Sequence, residues 1–200
     1  MKILIVGGTG LIGQAVKEEL GSRHDIIIAG SKSGDIQVDI TDCASIQTLY
    51  KKIQNLDAII ATTGRVKFAP LNELTSEDYH FGLNHKLMGQ INLVLLGMTH
   101  LNDGGSFTLT SGILNHDPIV QGSSAAMTNG AIDGFVRSAA IELPNALRIN
   151  TVSPTVVTEA LPSYENYFRG YCSAPAATVA KAYSKSVEGK QTGQIYKVGF

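Results

Sequence analysis

The stretch Lys2 to Gly13, KILIVGGTGLIG, constrains the fold of this chain more than any other. An apolar run stops at glycines and resumes as an amphipathic pattern, so it reads as strand, loop and helix. Gly7, Gly10 and Gly13 remove Cβ atoms where a backbone must turn sharply, approach a ligand and pack a helix on a strand. The first turn of the following helix carries N–H groups without intrahelical acceptors, which favour an anion such as a pyrophosphate. With a strand before it and a helix after it, the triplet is a dinucleotide-binding candidate, with Thr9, Leu11 and Ile12 in the same loop and first turn. The alternative is a tight strand-to-helix turn with no ligand.

Two hundred residues, 44% of them hydrophobic, suffice for one domain with a sizeable core and are too few for a separate substrate domain. Residues 1–200 are therefore expected to form a single unit. A net charge of −1 without any Lys/Arg run argues against nucleic acid and membrane surfaces as partners and favours a small-molecule substrate. Cys43 and Cys172 show no CxxC or metal spacing, as in a reducing compartment. The chain starts directly on its first strand, with no leader pattern and no apolar run of membrane-spanning length, so a soluble, cytoplasmic protein is expected.

After the loop, Leu11, Ile12, Ala15, Val16 and Leu20 form one helical stripe that Gly21 ends. Asp25–Ala29 reads as a buried parallel strand ending in Gly30-Ser31-Lys32-Ser33. In a dinucleotide fold an acidic residue at this strand end would bind the free ribose hydroxyls of NAD. Ser31, Lys32 and Ser33 instead suit a ribose phosphate, so NADP is expected rather than NAD. A short strand at Ile36–Ile40, a helix starting at Thr41-Asp42, and a strand at Leu56–Ala61 with the exit loop Thr62-Thr63-Gly64 follow. Further on come a helix from Ser76 to Met98, a strand at Gly105–Thr110 exiting at Ser111-Gly112, and a helix from Ser123 rich in small residues. Leu147–Val152 is a strand that Pro154 breaks, residues 155–174 are an irregular candidate lid with Tyr164, Tyr167 and Tyr171, and a helix and a final strand end the chain. This alternation predicts an α/β Rossmann fold: one doubly wound parallel sheet with helices on both faces and ligands at the carboxyl ends of its strands.

Several residues together resemble the short-chain dehydrogenase/reductase family over nearly the whole chain. Gly7, Gly10 and Gly13 match its glycine loop in shortened form, and Asp39-Ile40-Thr41-Asp42 resembles the acidic turn in which the Asp meets the adenine. Thr62-Thr63-Gly64 sits where most members carry Asn-Ala-Gly. Gly134–Leu143 followed by Arg148–Pro154 is similar to the helix-five and strand-six signature, and Gly193-Gln194-Ile195 to the entry of the last strand. The resemblance implies a nicotinamide dinucleotide, with Pro154, Thr155 and Val157 adding to its site.

The catalytic residues depart from the family. Its proton-donating Tyr falls on Ala125, and its Lys, four residues later, on Asn129. Its Ser is matched by Ser111, with Thr110 as the alternative, and its Asn on the 76–98 helix falls on Lys86. Lys and Asn are thus exchanged across the expected site, which puts Lys86 beside the nicotinamide ribose with Asn129 bonded to it. The competing reading is a Lys on a solvated or interhelical face and an Asn without a ligand role. His116, in the loop after the fifth strand, and the lid tyrosines are secondary candidates. The expected function is NADP-dependent oxidoreduction of a small carbonyl or alcohol, with Ser111 polarising the substrate oxygen and Lys86 replacing the usual base. The alternative is a catalytically inactive NADP(H)-binding regulator or scaffold. The resemblance also implies a homodimer or homotetramer through the 76–98 and small-residue helices.

Overall fold

The computed structural model describes residues 1–200. Its strands are β1 (Lys2–Val6), β2 (Asp25–Gly30), β3 (Ile36–Gln37), β4 (Leu56–Ala61), β5 (Leu101–Thr110), β6 (Arg148–Pro154) and β7 (Ile195–Val198). The helices are α1 (Leu11–Gly21), α2 (Cys43–Lys52), α3 (Ser76–Gly82), α4 (Gly89–Gly97), α5 (Ser123–Ala139), α6 (Leu161–Tyr164) and α7 (Ala176–Glu188). The strands form one sheet in the order β3-β2-β1-β4-β5-β6-β7, and every pairing is parallel. The chain winds outward from β1 to β3 and then crosses back to β4. The carboxyl ends of β1 and β4 therefore flank the crevice where such sheets bind ligands.

Alternate residues of each strand feed two cores, because side chains in a strand point to opposite faces. Leu4, Val6, Ile59, Phe107 and Ile149 pack with residues of α2, α4 and α5 on one face. Ile3, Ile5, Ala58, Ile60 and Val152 pack with α1 and α7 on the other. Burial of each such aliphatic side chain contributes about 1.5–3 kcal/mol. This two-sided burial is what the unbroken apolar runs in β1, β2 and β4 reflect. No helix is long and apolar enough to cross a membrane.

Several elements differ from expectation. Leu11 is 43% exposed rather than on the buried stripe; Gly13 takes the inward position. The third strand stops at Gln37, because Asp39 turns its carboxylate onto the Thr41 N–H and hydroxyl and starts the approach to α2. The 76–98 helix is interrupted: Leu83–Met88 form a π-helical turn between α3 and α4. β6 runs through Pro154, which pairs with Val198. β5 has already ended at Thr110 opposite Val152, so no neighbour on that side requires the missing proline N–H.

Residues 155–174 are more regular than expected, with a 3₁₀ turn at Thr158–Ala160 and α6. Their base is pinned: Val157 bridges Ala174, and the Thr155 hydroxyl donates to the Cys172 carbonyl at 2.8 Å.

Candidate active site

The loop between β1 and α1 is set by Gly7, whose φ of +89° is one that residues with side chains rarely adopt. A Cβ there would stand 2.7 Å from the Thr62 carbonyl oxygen and 2.9 Å from Thr63 Cβ, so the loop lies directly on the exit of β4. Gly13 packs against the backbones of Gly7 and Gly8 with no room for a methyl group. The Gly10 carbonyl accepts the Gln14 N–H at 2.9 Å, which begins the helical ladder and leaves the N–H groups of Leu11, Ile12 and Gly13 without helical acceptors. This is a cradle for an anion.

A cavity of about 480 Å³ opens over the loop and continues along the carboxyl edge of the sheet, lined by Gly7, Thr9 and Gly10 and by Gly30, Ser31 and Lys32 at the end of β2. Val6, Val38, Asp39, Ile40, Thr62, Thr63, Gly64, Arg65 and His85 complete it. Of the residues expected at this end, Ser33 is outside the lining; its carbonyl packs over Gly30 instead. Leu11 also faces away. The carboxylate of Asp39 is held below the usual carboxylate range by the hydroxyl and N–H of Thr41. The acid nearest the β2 end, Asp35, accepts the Ile28 N–H at 2.8 Å and lies in a groove behind α1. No carboxylate thus faces the Ser31–Lys32 corner except Asp39 across the cavity.

A second cavity of about 310 Å³ continues past the ends of β5 and β6. Ile12, Thr62, Thr63, Gly64, Ser111, Pro154, Thr155 and Val157 line it, together with the apolar Val66, Ile113, Leu114, Ala125, Val156 and Phe168. Its one ionisable side chain is Lys86.

Lys86 lies in the π-helical turn, and its Nζ donates to Asn129 Oδ1 at 2.6 Å and to the Ser111 carbonyl at 2.9 Å. Asn129 is oriented in turn by donating from Nδ2 to the Gly112 carbonyl at 3.2 Å. The Lys86 stem rests on Gly64, where a Cβ would fall 2.5 Å from Lys86 Cγ. The residue as a whole is half-buried, but its ammonium is enclosed, and desolvation pulls its pKa from 10.5 down to about 8 against the opposing field of Asp133.

The Ser111 hydroxyl is buried with no hydrogen-bond partner. The Thr110 hydroxyl, the other candidate, is committed to the Ala61 carbonyl and the Tyr183 hydroxyl. Only Ser111 therefore offers a free hydroxyl at this strand end. Gln90, one helical turn beyond Lys86, fixes that end: its amide donates to the Thr110 carbonyl at 2.9 Å and accepts the Thr110 N–H at 2.8 Å.

The tyrosines of residues 155–174 do not reach inward. Tyr167 donates to Gln121 Oε1 at 3.2 Å and Tyr171 to Asp117 Oδ1 at 3.0 Å, so both tie the segment to the loop after β5. Tyr164 is 40% exposed. Phe168 is the aromatic residue of this segment that lines the cavity, and Phe68 lines it from outside the segment. His116 lies 3.7 Å from Asp133 rather than in the cavity. Sequence reasoning missed Arg65 and Gln90, and it reads His85 as an exposed or interface position, whereas His85 lines the long cavity. The available signals were adjacency, since Arg65 follows Gly64 and His85 precedes Lys86, and the four-residue spacing from Lys86 to Gln90.

A family model described as enoyl-(acyl carrier protein) reductase matches residues 8–181. The chain is 26% identical over 179 residues to the hydroxynaphthalene reductase-like protein Arp2 of Metarhizium brunneum, covering 76% of this chain and 67% of that protein. It is 53% identical to the crystal structure of the protein lin1944 from Listeria innocua, with a TM-score of 0.97 and 98% of both chains covered. A small-chain dehydrogenase crystallised with NADPH shares the fold at 24% identity and a TM-score of 0.89, covering 99% of this chain and 96% of that one.

Proposed function

Because the chain belongs to the short-chain dehydrogenase/reductase family, we propose that it is an NADP-dependent oxidoreductase of a small carbonyl or alcohol in which Lys86 is the proton-transferring group. The observation that carries this reading is the Lys86–Asn129 pair, 2.6 Å apart, beside the unpartnered hydroxyl of Ser111. The family's Tyr and Lys positions hold Ala125 and Asn129, and Lys86 is the one ionisable side chain that lines this cavity.

The residues present fit a nicotinamide dinucleotide. The glycine cradle and the free N–H groups of α1 suit a pyrophosphate, and the long cavity on the sheet edge joins the substrate-sized one at Thr62, Thr63 and Gly64. Ser31 and Lys32, with Asp35 turned away, support NADP over NAD. The bound nicotinamide supplies or accepts the hydride. Ser111 would donate a hydrogen bond to the substrate oxygen, polarising the carbonyl. The Lys86 ammonium would give that oxygen a proton in reduction, and the amine would take it back in oxidation. A pKa of about 8 suits both directions near neutral pH. Phe168 and the aliphatic lining would exclude water, with residues 155–174 as the lid.

A regulatory, non-catalytic reading draws on one observation: Ala125 leaves the phenol position empty of any acid. Fluorescence titration with NADPH and NADH, followed by NADPH oxidation on a panel of aldehydes and ketones, separates the two. Catalysis predicts NADPH binding, turnover, and at least ~100-fold loss of turnover in Lys86→Met with little change in NADPH affinity. Binding without turnover across the panel supports the regulator, and no binding of either nucleotide rejects both.

A further inference from the structure

We propose, resting on Lys86 as the proton donor, that Asp133 and His116 form the route by which this enclosed ammonium exchanges protons with solvent. Asp133 is a positioning residue in this scheme, acting through Lys86 rather than on substrate. It lies on α5 four residues beyond Asn129, hence on the same helical face, and is 2% exposed. Its Oδ2 accepts from Asn115 Nδ2 at 2.8 Å and stands 3.7 Å from His116 Nε2. The side chain of His116 is 29% exposed, so the histidine spans from solvent to the buried carboxylate.

The inner end of the route rests on the i, i+4 placement of Asp133 below Asn129, the residue that Lys86 binds, and on an orphaned oxygen. Asp133 Oδ1 is buried without a partner, as is Oδ1 of the adjoining Asn115. A buried acceptor with no protein partner is the setting that holds a buried water. Asp133 is also the group whose charge opposes the desolvation of Lys86, so the buried ammonium and the buried carboxylate compensate one another. The other ionisable groups nearby face elsewhere. His85 and Arg65 open onto the cofactor cavity, Arg137 is exposed one turn further along α5, and Asp117 is held by Tyr171.

The step balances with one proton. After Lys86 has given its proton away, His116 Nε2–H protonates the Asp133 carboxylate, and the resulting acid passes that proton through a water on Oδ1 to the neutral amine, which restores the ammonium and the carboxylate. The imidazole takes the replacement from bulk water on Nδ1 and returns to its Nε2–H tautomer by exchange with solvent. Oxidation runs the same path outward.

The test is NMR of the lysine Nζ groups in protein labelled with ¹⁵N-lysine and saturated with NADP⁺, the Lys86 signal being identified by its loss in Lys86→Met. The readouts are its titration midpoint and the exchange of its protons with water. Asp133→Asn is expected to lower the midpoint by ~1 pH unit or more. His116→Gln is expected to slow exchange about tenfold or more and to recover with added imidazole, which a purely structural role would not produce. Unchanged midpoint and exchange in both variants would overturn the route while leaving Lys86 as donor. A wild-type midpoint at the ordinary lysine value would instead overturn the donor reading, and the route with it. If Asp133→Asn does not fold, His116→Gln with and without imidazole decides.

Discussion

Replacing Gly64 by alanine tests the packing that holds Lys86 in place. The new Cβ would lie 2.5 Å from Lys86 Cγ, 2.7 Å from its Cβ and 2.8 Å from its Cα, so the clash reaches backbone and no rotamer change relieves it. Gly64 also has φ +123°, a conformation that costs alanine about 1–3 kcal/mol. Overpacking adds about 1–3 kcal/mol, giving roughly 2–6 kcal/mol in all. Gly104 supplies the control: its φ is also positive, at +75°, but nothing lies within 4 Å of an added Cβ. Gly104→Ala should therefore cost only the backbone strain, about 1–2 kcal/mol. Urea denaturation monitored by circular dichroism measures both variants. Displacement of Lys86 should also lower turnover in Gly64→Ala by ~100-fold, as an ångström of misplacement does, and leave Gly104→Ala active. Equal destabilisation of the two variants would refute the argument that Gly64 exists to admit the lysine stem.

Other outcomes follow from the same structure. Glu188 on α7 binds Ser184 of its own helix and Arg23 and His24 of the turn after α1, and these bonds, Arg23 first, hold its pKa at about 2. Because the folded pKa is depressed from 4.5, its stabilisation is present above that value and lost as pH falls toward 2. Glu188→Gln should cost about 1 kcal/mol at pH 7, after discounting for solvent screening, and only a small fraction of that at pH 2, as read by urea midpoints at the two pH values. Gln90→Leu strands the buried N–H and carbonyl of Thr110 and should lower stability by about 1–3 kcal/mol, measured by thermal unfolding; an unchanged midpoint would show that Thr110 is held otherwise. An apolar groove of about 440 Å³ runs between α4 and α5, and Leu95 on its edge is 50% exposed. If this face joins two copies, Leu95→Glu should halve the mass seen by light scattering, and a wild-type monomer would remove that interface.

The parts of the fold that a local pattern encodes were readable in advance. The apolar runs of β1, β2 and β4 and the positions of the glycines mark the parallel strands and the loop, because burial on both faces and turns without Cβ atoms leave direct traces in composition. The π-helical turn left none: Leu83–Met88 contains neither Gly nor Pro to mark it. The length of β3 depended on Asp39 bonding to Thr41, and the continuation of β6 through Pro154 on where β5 ends. Both are properties of neighbours rather than of the segment. In the site, Lys86 and Asn129 were placed together by counting register along two helices 43 residues apart, and their contact follows that register. Arg65 and Asp133 could not be found that way. Each enters through a loop or helix face whose direction only the folded chain defines.

The π-helical turn has one more consequence. A π turn holds one residue more than the α-helical turn it replaces, so deleting Asn84 would let α3 and α4 merge into one regular helix. The two halves would then rotate against each other by about 100°, the angle one residue occupies in an α-helix. Either Leu93 and Val94 would leave the core, or Lys86 would swing away from Asn129. The extra residue thus acts as a phase adjuster: it lets one helix serve two partners, a core below and a cavity above, that a uniform helix could not face at once.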